Sequence, residues 1–121
     1  MKISQLNHVA LHVTDLTRSI TFYRDILGLE VMNRPNFGFP GAWFRIGTDY
    51  NFQEIHLIAW EVKDLSPPRE RHFALMIDNA DAAAEELRSK GISFTGPKAR
   101  PDGAIQIFLR DPDEHVIELC T

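Results

Sequence analysis

Four residues of this chain have side chains suited to holding a metal ion, and they stand in matched pairs. An offset of 64 carries His8 onto His72, Ala10 onto Ala74, Leu11 onto Leu75 and Asp15 onto Asn79. An offset of 62 lays "EIHLIA" on "VIELCT" and carries His56 onto Glu118. Imidazole nitrogens together with a carboxylate suit a borderline divalent cation such as Zn²⁺, Ni²⁺, Fe²⁺, Co²⁺ or Mn²⁺. Two His and one Glu with open positions also meet the requirements of a non-haem Fe(II) triad. A lone histidine on a strand is ordinarily a core or surface residue, and Glu118 alone reads as a surface carboxylate. Matched positions in two copies of one pattern argue for a shared task, because a repeat decides the architecture.

The elements that must carry these residues follow from the apolar pattern. In "LNHVALHV", residues 6–13, alternation puts Val9, Leu11 and Val13 on one face and His8, Ala10 and His12 on the other. Asp15 suits the N-cap of a helix in which Leu16, Ile20, Tyr23 and Leu27 form one apolar stripe and Gly28 is the stop. Strands are expected over about 29–33, 43–46 and 52–60, with "RPNFGFPG" a loop between the first two. "EVKDLSPPRE", residues 61–70, reads as a connector. The order then restarts. A strand over 71–77 sets His72, Ala74 and Met76 opposite Phe73, Leu75 and Ile77. Asn79 caps a helix holding Ala80, Ala83 and Leu87, and Gly91 stops it. Strands follow near 92–94, 104–110 and 115–120. Each half reads βαβββ, an α+β class with module 1 at about 1–60 and module 2 at about 71–121. His56 lies opposite Ile55 and Leu57, and Glu118 opposite Ile117 and Leu119, so every ligand candidate faces away from an apolar row. If the modules pair with pseudo-two-fold symmetry, the four side chains converge, and a buried Glu there needs a partner such as a metal.

Composition bounds the rest. The 121 residues suffice for one domain, with 44% hydrophobic and 25% charged residues. A net charge of -4 speaks against a nucleic-acid partner, which needs clustered Lys and Arg. The single cysteine, Cys120, allows no internal disulfide and fits a reducing compartment. No signal-like or membrane-length apolar run is present, so a cytoplasmic protein with no membrane partner is expected.

Three stretches in this order, "LNHVALHVTDLTRSITFYRDILGLEV", "RHFALMID" and "LRDPDEHVIEL", resemble the vicinal oxygen chelate superfamily over nearly the whole chain. That superfamily includes glyoxalase I, bleomycin- and fosfomycin-resistance proteins, methylmalonyl-CoA epimerase and the extradiol dioxygenases. The resemblance implies paired βαβββ modules in a cup-like, open mixed sheet around one divalent metal per site. It places His8, His72 and Glu118 at the family's His, His and Glu ligand positions. His56 falls where glyoxalase I typically has Glu, which leaves it either a ligand or an acid–base residue beside a catalytic Glu118. Glu114, in "DPDEH", stands where the family often has Gly.

The function so implied is metal-dependent and glyoxalase I-like, with Lewis-acid stabilisation of an enediolate or oxyanion of a small substrate. The alternatives are an Fe(II) extradiol-type dioxygenase on His8, His72 and Glu118, a thiol transferase, and a metal-free binding protein of the bleomycin-resistance kind. Arg45, Arg100 and His12 are weaker candidates for contacting substrate. Family habit implies a homodimer, with sites closed within one chain or shared between subunits.

Overall fold

The structure, a computed structural model, describes residues 2, 4–48, 50–59 and 71–121. It divides into two compact units, Met1–Lys63 and Asp64–Thr121. The connector expected at 61–70 lies outside the described residues.

In the first unit, alternating apolar residues give β1 (His8–Val13), followed by helix α1 (Leu16–Thr21) and strands β2 (Glu30–Met32), β3 (Gly41–Ile46) and β4 (Gln53–Ala59). The sheet order is β1-β4-β3-β2, with β1 parallel to β4 and the other pairs antiparallel. The second unit repeats this plan with β5 (His72–Met76), α2 (Ala80–Ser89), β6 (Phe94–Ala99), β7 (Ile105–Arg110) and β8 (Val116–Cys120). Its order is β5-β8-β7-β6, again with only the first pair parallel. The βαβββ reading of each half is therefore borne out.

The repeat extends to residue register. Ala10 lies beside His56 across β1 and β4, and Ala74 lies beside Glu118 across β5 and β8. Trp43 on β3 opposes His56, and Phe108 on β7 opposes Glu118. Each unit packs one face under its helix. Ile55 and Leu57 of β4 are fully buried in the first unit, as are Ile107 and Ile117 in the second.

Both helices start and stop where the sequence places the signals. Asp15 accepts a hydrogen bond from the Arg18 amide at 3.0 Å, and Asn79 accepts one from the Ala82 amide at 2.9 Å. Gly28 and Gly91 follow the ends with φ of 70° and 69°. The interior of the first helix differs from expectation. After Thr21 it widens into a π turn, Phe22–Ile26, in which the Leu27 amide reaches back to the Phe22 carbonyl at 3.1 Å. The buried face also differs from the expected stripe. Ser19, Phe22 and Tyr23 are buried, whereas Leu16, Ile20 and Leu27 are only half-buried. In α2 the middle core position is Ala84 rather than Ala83.

The strand expected at 92–94 begins later, at Phe94, and runs to Ala99. The Ile92 amide is already committed to the Leu87 carbonyl at the helix end. The strand then passes through Gly96 and Pro97, a residue pair common in turns. A bulge between Thr95 and Lys98 absorbs them. No helix among the described residues is long and apolar enough to cross a membrane.

Candidate functional site

In the first unit the alternation of β4 puts Glu54 and His56 on the face away from Ile55 and Leu57. Trp43 and Arg45 share that face, since Phe44 is buried against Tyr23 with ring centroids 5.6 Å apart. The His56 ring is sandwiched. Trp43 covers one side, 4.2 Å between centroids and 7° from parallel, and His8 covers the other at 4.2 Å and 13°. His56 Nε2 lies 2.5 Å from Glu54 Oε2. His8 Nδ1 lies 2.8 Å from Asn7 Oδ1. Thus the structure brings His8 and His56 together, as the repeat implies.

The aromatic run continues into the loop between β2 and β3. Phe37 packs against Trp43 at 5.8 Å and on Phe39 at 6.0 Å, and the Arg34 guanidinium lies over both Phe rings. Arg45 opposes Glu54 across the strands and lies over the Phe52 ring at 4.2 Å. His12 is on the exposed face of β1, the face of His8.

In the second unit His72 and Glu118 come together, with Nε2 2.9 Å from Oε2. Glu118 is buried, 4% exposed, yet its carboxylate is well supplied with partners. Gln106 Nε2 donates to Oε1 at 2.8 Å, and an Arg100 guanidinium nitrogen lies 3.8 Å from Oε1. Phe108 meets His72 in a T-shaped pair, with centroids 5.4 Å apart. Arg100 is itself held by Asp102 in a two-point pair. The hydrogen bond from Arg100 lowers the Asp102 carboxyl from 3.8 to about 2, and the same bond raises the Arg100 guanidinium.

The donors fit a first-row divalent ion in chemistry and, for the second pair, in spacing. Two donors about 2.1 Å from one ion and at right angles stand about 3 Å apart, and the His72–Glu118 separation of 2.9 Å matches this. Among the described residues, no group of three or more His, Cys, Asp or Glu side chains is gathered around one point.

Sequence reasoning passed over Glu54 and Gln106; alternation along β3 offers this face either Trp43 with Arg45 or Phe44 with Ile46, and the burial of Phe44 selects the first pair. Of the residues passed over, only Glu54 carried a usable signal, a carboxylate two positions before His56 on a strand and hence on its face. Gln106 owes its place to cross-strand register. The turn after β7 keeps its form despite Glu114, which takes φ of 69°. Asp111 Oδ1 accepts from the amides of Asp113 and His115, both at 2.9 Å, and Arg110 donates to the Glu114 carbonyl at 2.8 Å.

Comparison with known proteins agrees with this architecture. The chain is 33% identical to a lactoylglutathione lyase of Salmonella typhimurium, over 95% of this chain and 90% of that one. It is 31% identical to the glutathione transferase FosA of Serratia marcescens, over 97% and 80%. A crystal structure of a glyoxalase family protein from Bacillus anthracis superposes with a TM-score of 0.84 at 26% identity, covering 99% of this chain and 96% of that one. The profile of the Glyoxalase/Bleomycin resistance protein/Dioxygenase superfamily matches residues 5–119, and the chain belongs to that superfamily.

Proposed function

We propose that this chain is a glyoxalase I-like enzyme in which His8, His56, His72 and Glu118 serve one divalent metal. The observation that carries the reading is the pairing of these residues at equivalent stations of two modules, His8 against His56 and His72 against Glu118. The lactoylglutathione lyase relative supports an enzyme of this type, and both curated relatives make glutathione adducts the first substrates to try. The bound metal would supply Lewis-acid stabilisation of charge developing on a substrate oxygen.

The chain's own residues divide the remaining work. Gln106 and Arg100 engage Oε1 of Glu118, which orients Oε2 toward His72. Glu118 Oε2 is then the atom that takes a proton from the substrate carbon and returns it to the neighbouring one. Arg100 stands next to this carboxylate as the candidate anchor for an anionic part of the substrate. Phe37, Trp43 and Phe39 offer apolar surface beside His56 and limit water there. The assembly that goes with this reading is a homodimer acting on a small molecule.

The Glu54–His56 contact favours a second reading. With His56 held by Glu54, the donors His8, His72 and Glu118 match the two-His, one-carboxylate set of non-haem Fe(II) enzymes, and His56 becomes a proton-transfer residue.

Elemental analysis of untagged protein, with a His72→Ala control, tests both. About one divalent ion per chain, lost in the variant, supports the metal reading, and turnover of hemithioacetals against catechols under anaerobic Fe(II) loading separates the two enzymes. Failure to bind Zn²⁺, Ni²⁺, Mn²⁺ or Fe²⁺ on titration sinks both and leaves a binding protein.

A further inference from the structure

We propose that Glu54 is a positioning residue that locks Nε2 of His56, so that His56 works only through Nδ1. The inference deepens the reading of His56 as a site residue and rests on it. Glu54 Oε2 lies 2.5 Å from His56 Nε2, and the two side chains are only 15% and 14% exposed. A carboxylate only accepts hydrogen bonds, so the facing ring nitrogen carries the proton. In the neutral ring the lone pair then belongs to Nδ1. The faces offer no other freedom, because Trp43 and His8 cover both sides at 4.2 Å. A ring clamped on two faces and tied at one nitrogen presents a single working edge.

The two units differ here in a telling way. The place equivalent to Glu54 in the second unit is Val116, since His8 aligns with Glu54 and His72 aligns with Val116. The repeat thus carries the extra carboxylate only where its last strand bears an imidazole. Where that strand bears Glu118, the equivalent residue, Val116, is apolar and an amide, Gln106, holds the functional group. Each module supplies the partner its own reactive group requires: an acceptor for an imidazole N–H, a donor for a carboxylate.

Nitrogen-15 NMR of metal-free protein labelled at histidine, at a pH where the ring is neutral, tests this directly. The expected result for His56 is a proton on Nε2, slow to exchange, and a bare Nδ1. Glu54→Leu, which removes the acceptor, should lose the slowly exchanging Nε2–H signal while the backbone amide spectrum is retained. A Zn²⁺ titration of the wild-type protein should leave the Nε2 proton in place. A proton on Nδ1, a bare Nε2, or loss of the Nε2 proton on adding Zn²⁺ overturns the proposal, and these wild-type results stand even if the variant fails to fold. Because the tautomer is read without metal, a locked Nε2 in a protein that takes up none of Zn²⁺, Ni²⁺, Mn²⁺ and Fe²⁺ would sink the metal reading and leave the role of Glu54 intact.

Discussion

At the scale of single residues, the buried carboxylate of Glu118 carries the sharpest expectation. Glu118→Gln keeps the shape and the contact with Gln106 but cannot accept a proton from carbon. We expect turnover to fall about 100-fold or more, within the usual worth of a general base, measured as kcat on whichever substrate class the screen returns. Unchanged turnover would remove Glu118 from the chemistry. Asp102 gives a pH expectation of definite sign. Its carboxyl is held down to about 2 by Arg100, below the ordinary 3.8, so the pair's contribution to folding is complete above about pH 4 and disappears as pH falls through about 2. A carboxyl carbon-13 titration of Asp102 with its midpoint near the ordinary value would contradict the pairing. The four paired donors were legible in sequence because a repeat compares each residue with its counterpart. Gln106 was not, since its reach to Glu118 crosses between strands and one-dimensional spacing does not encode that; Glu54 was open to reading, two positions before His56 on one strand.

At the scale of elements, sequence reading succeeded where local chemistry decides and failed where geometry accumulates. The caps at Asp15 and Asn79 were legible because a short side chain satisfies a nearby amide. The π turn was not, because a stripe projected at 3.6 residues per turn assumes a regular helix. Strand β6 runs past its expected end at 94 because a bulge carries it beyond Gly96 and Pro97. That bulge is testable. Gly96 has φ of 101°, and a Cβ there would collide with the Gln106 carbonyl. Gly96→Ala should cost about 2–3 kcal/mol, lowering Tm by roughly 10 °C. A thermal melt superimposable on wild type would show that the strand rearranges freely. Glu114 is the converse case. Glu114→Gly removes a left-handed penalty of about 1–2 kcal/mol but loosens the unfolded chain by somewhat less, and the exposed Arg110 contact at 3.6 Å contributes little. We expect a net gain of about 0.5 kcal/mol, seen as a slightly higher denaturation midpoint; a lower midpoint would mean that the side chain matters to the turn.

At the scale of the whole molecule, the βαβββ plan was legible twice over because offsets of 64 and 62 near the ends of each half left little else to fit. If the metal site draws on two chains, mixing His8→Ala with Glu118→Ala should restore one intact site per heterodimer, read as regained metal in verified mixed dimers. Absence of regained metal there would assign each site to a single chain. The sandwich around His56 also gives the protein a built-in optical signal. Of its two tryptophans, Trp43 lies face to face with the candidate site's imidazole, and an indole so stacked changes its emission when charge or a bound ion alters its neighbour. A Trp43→Phe difference spectrum would isolate that emission, so occupancy could be followed by light before any substrate is known.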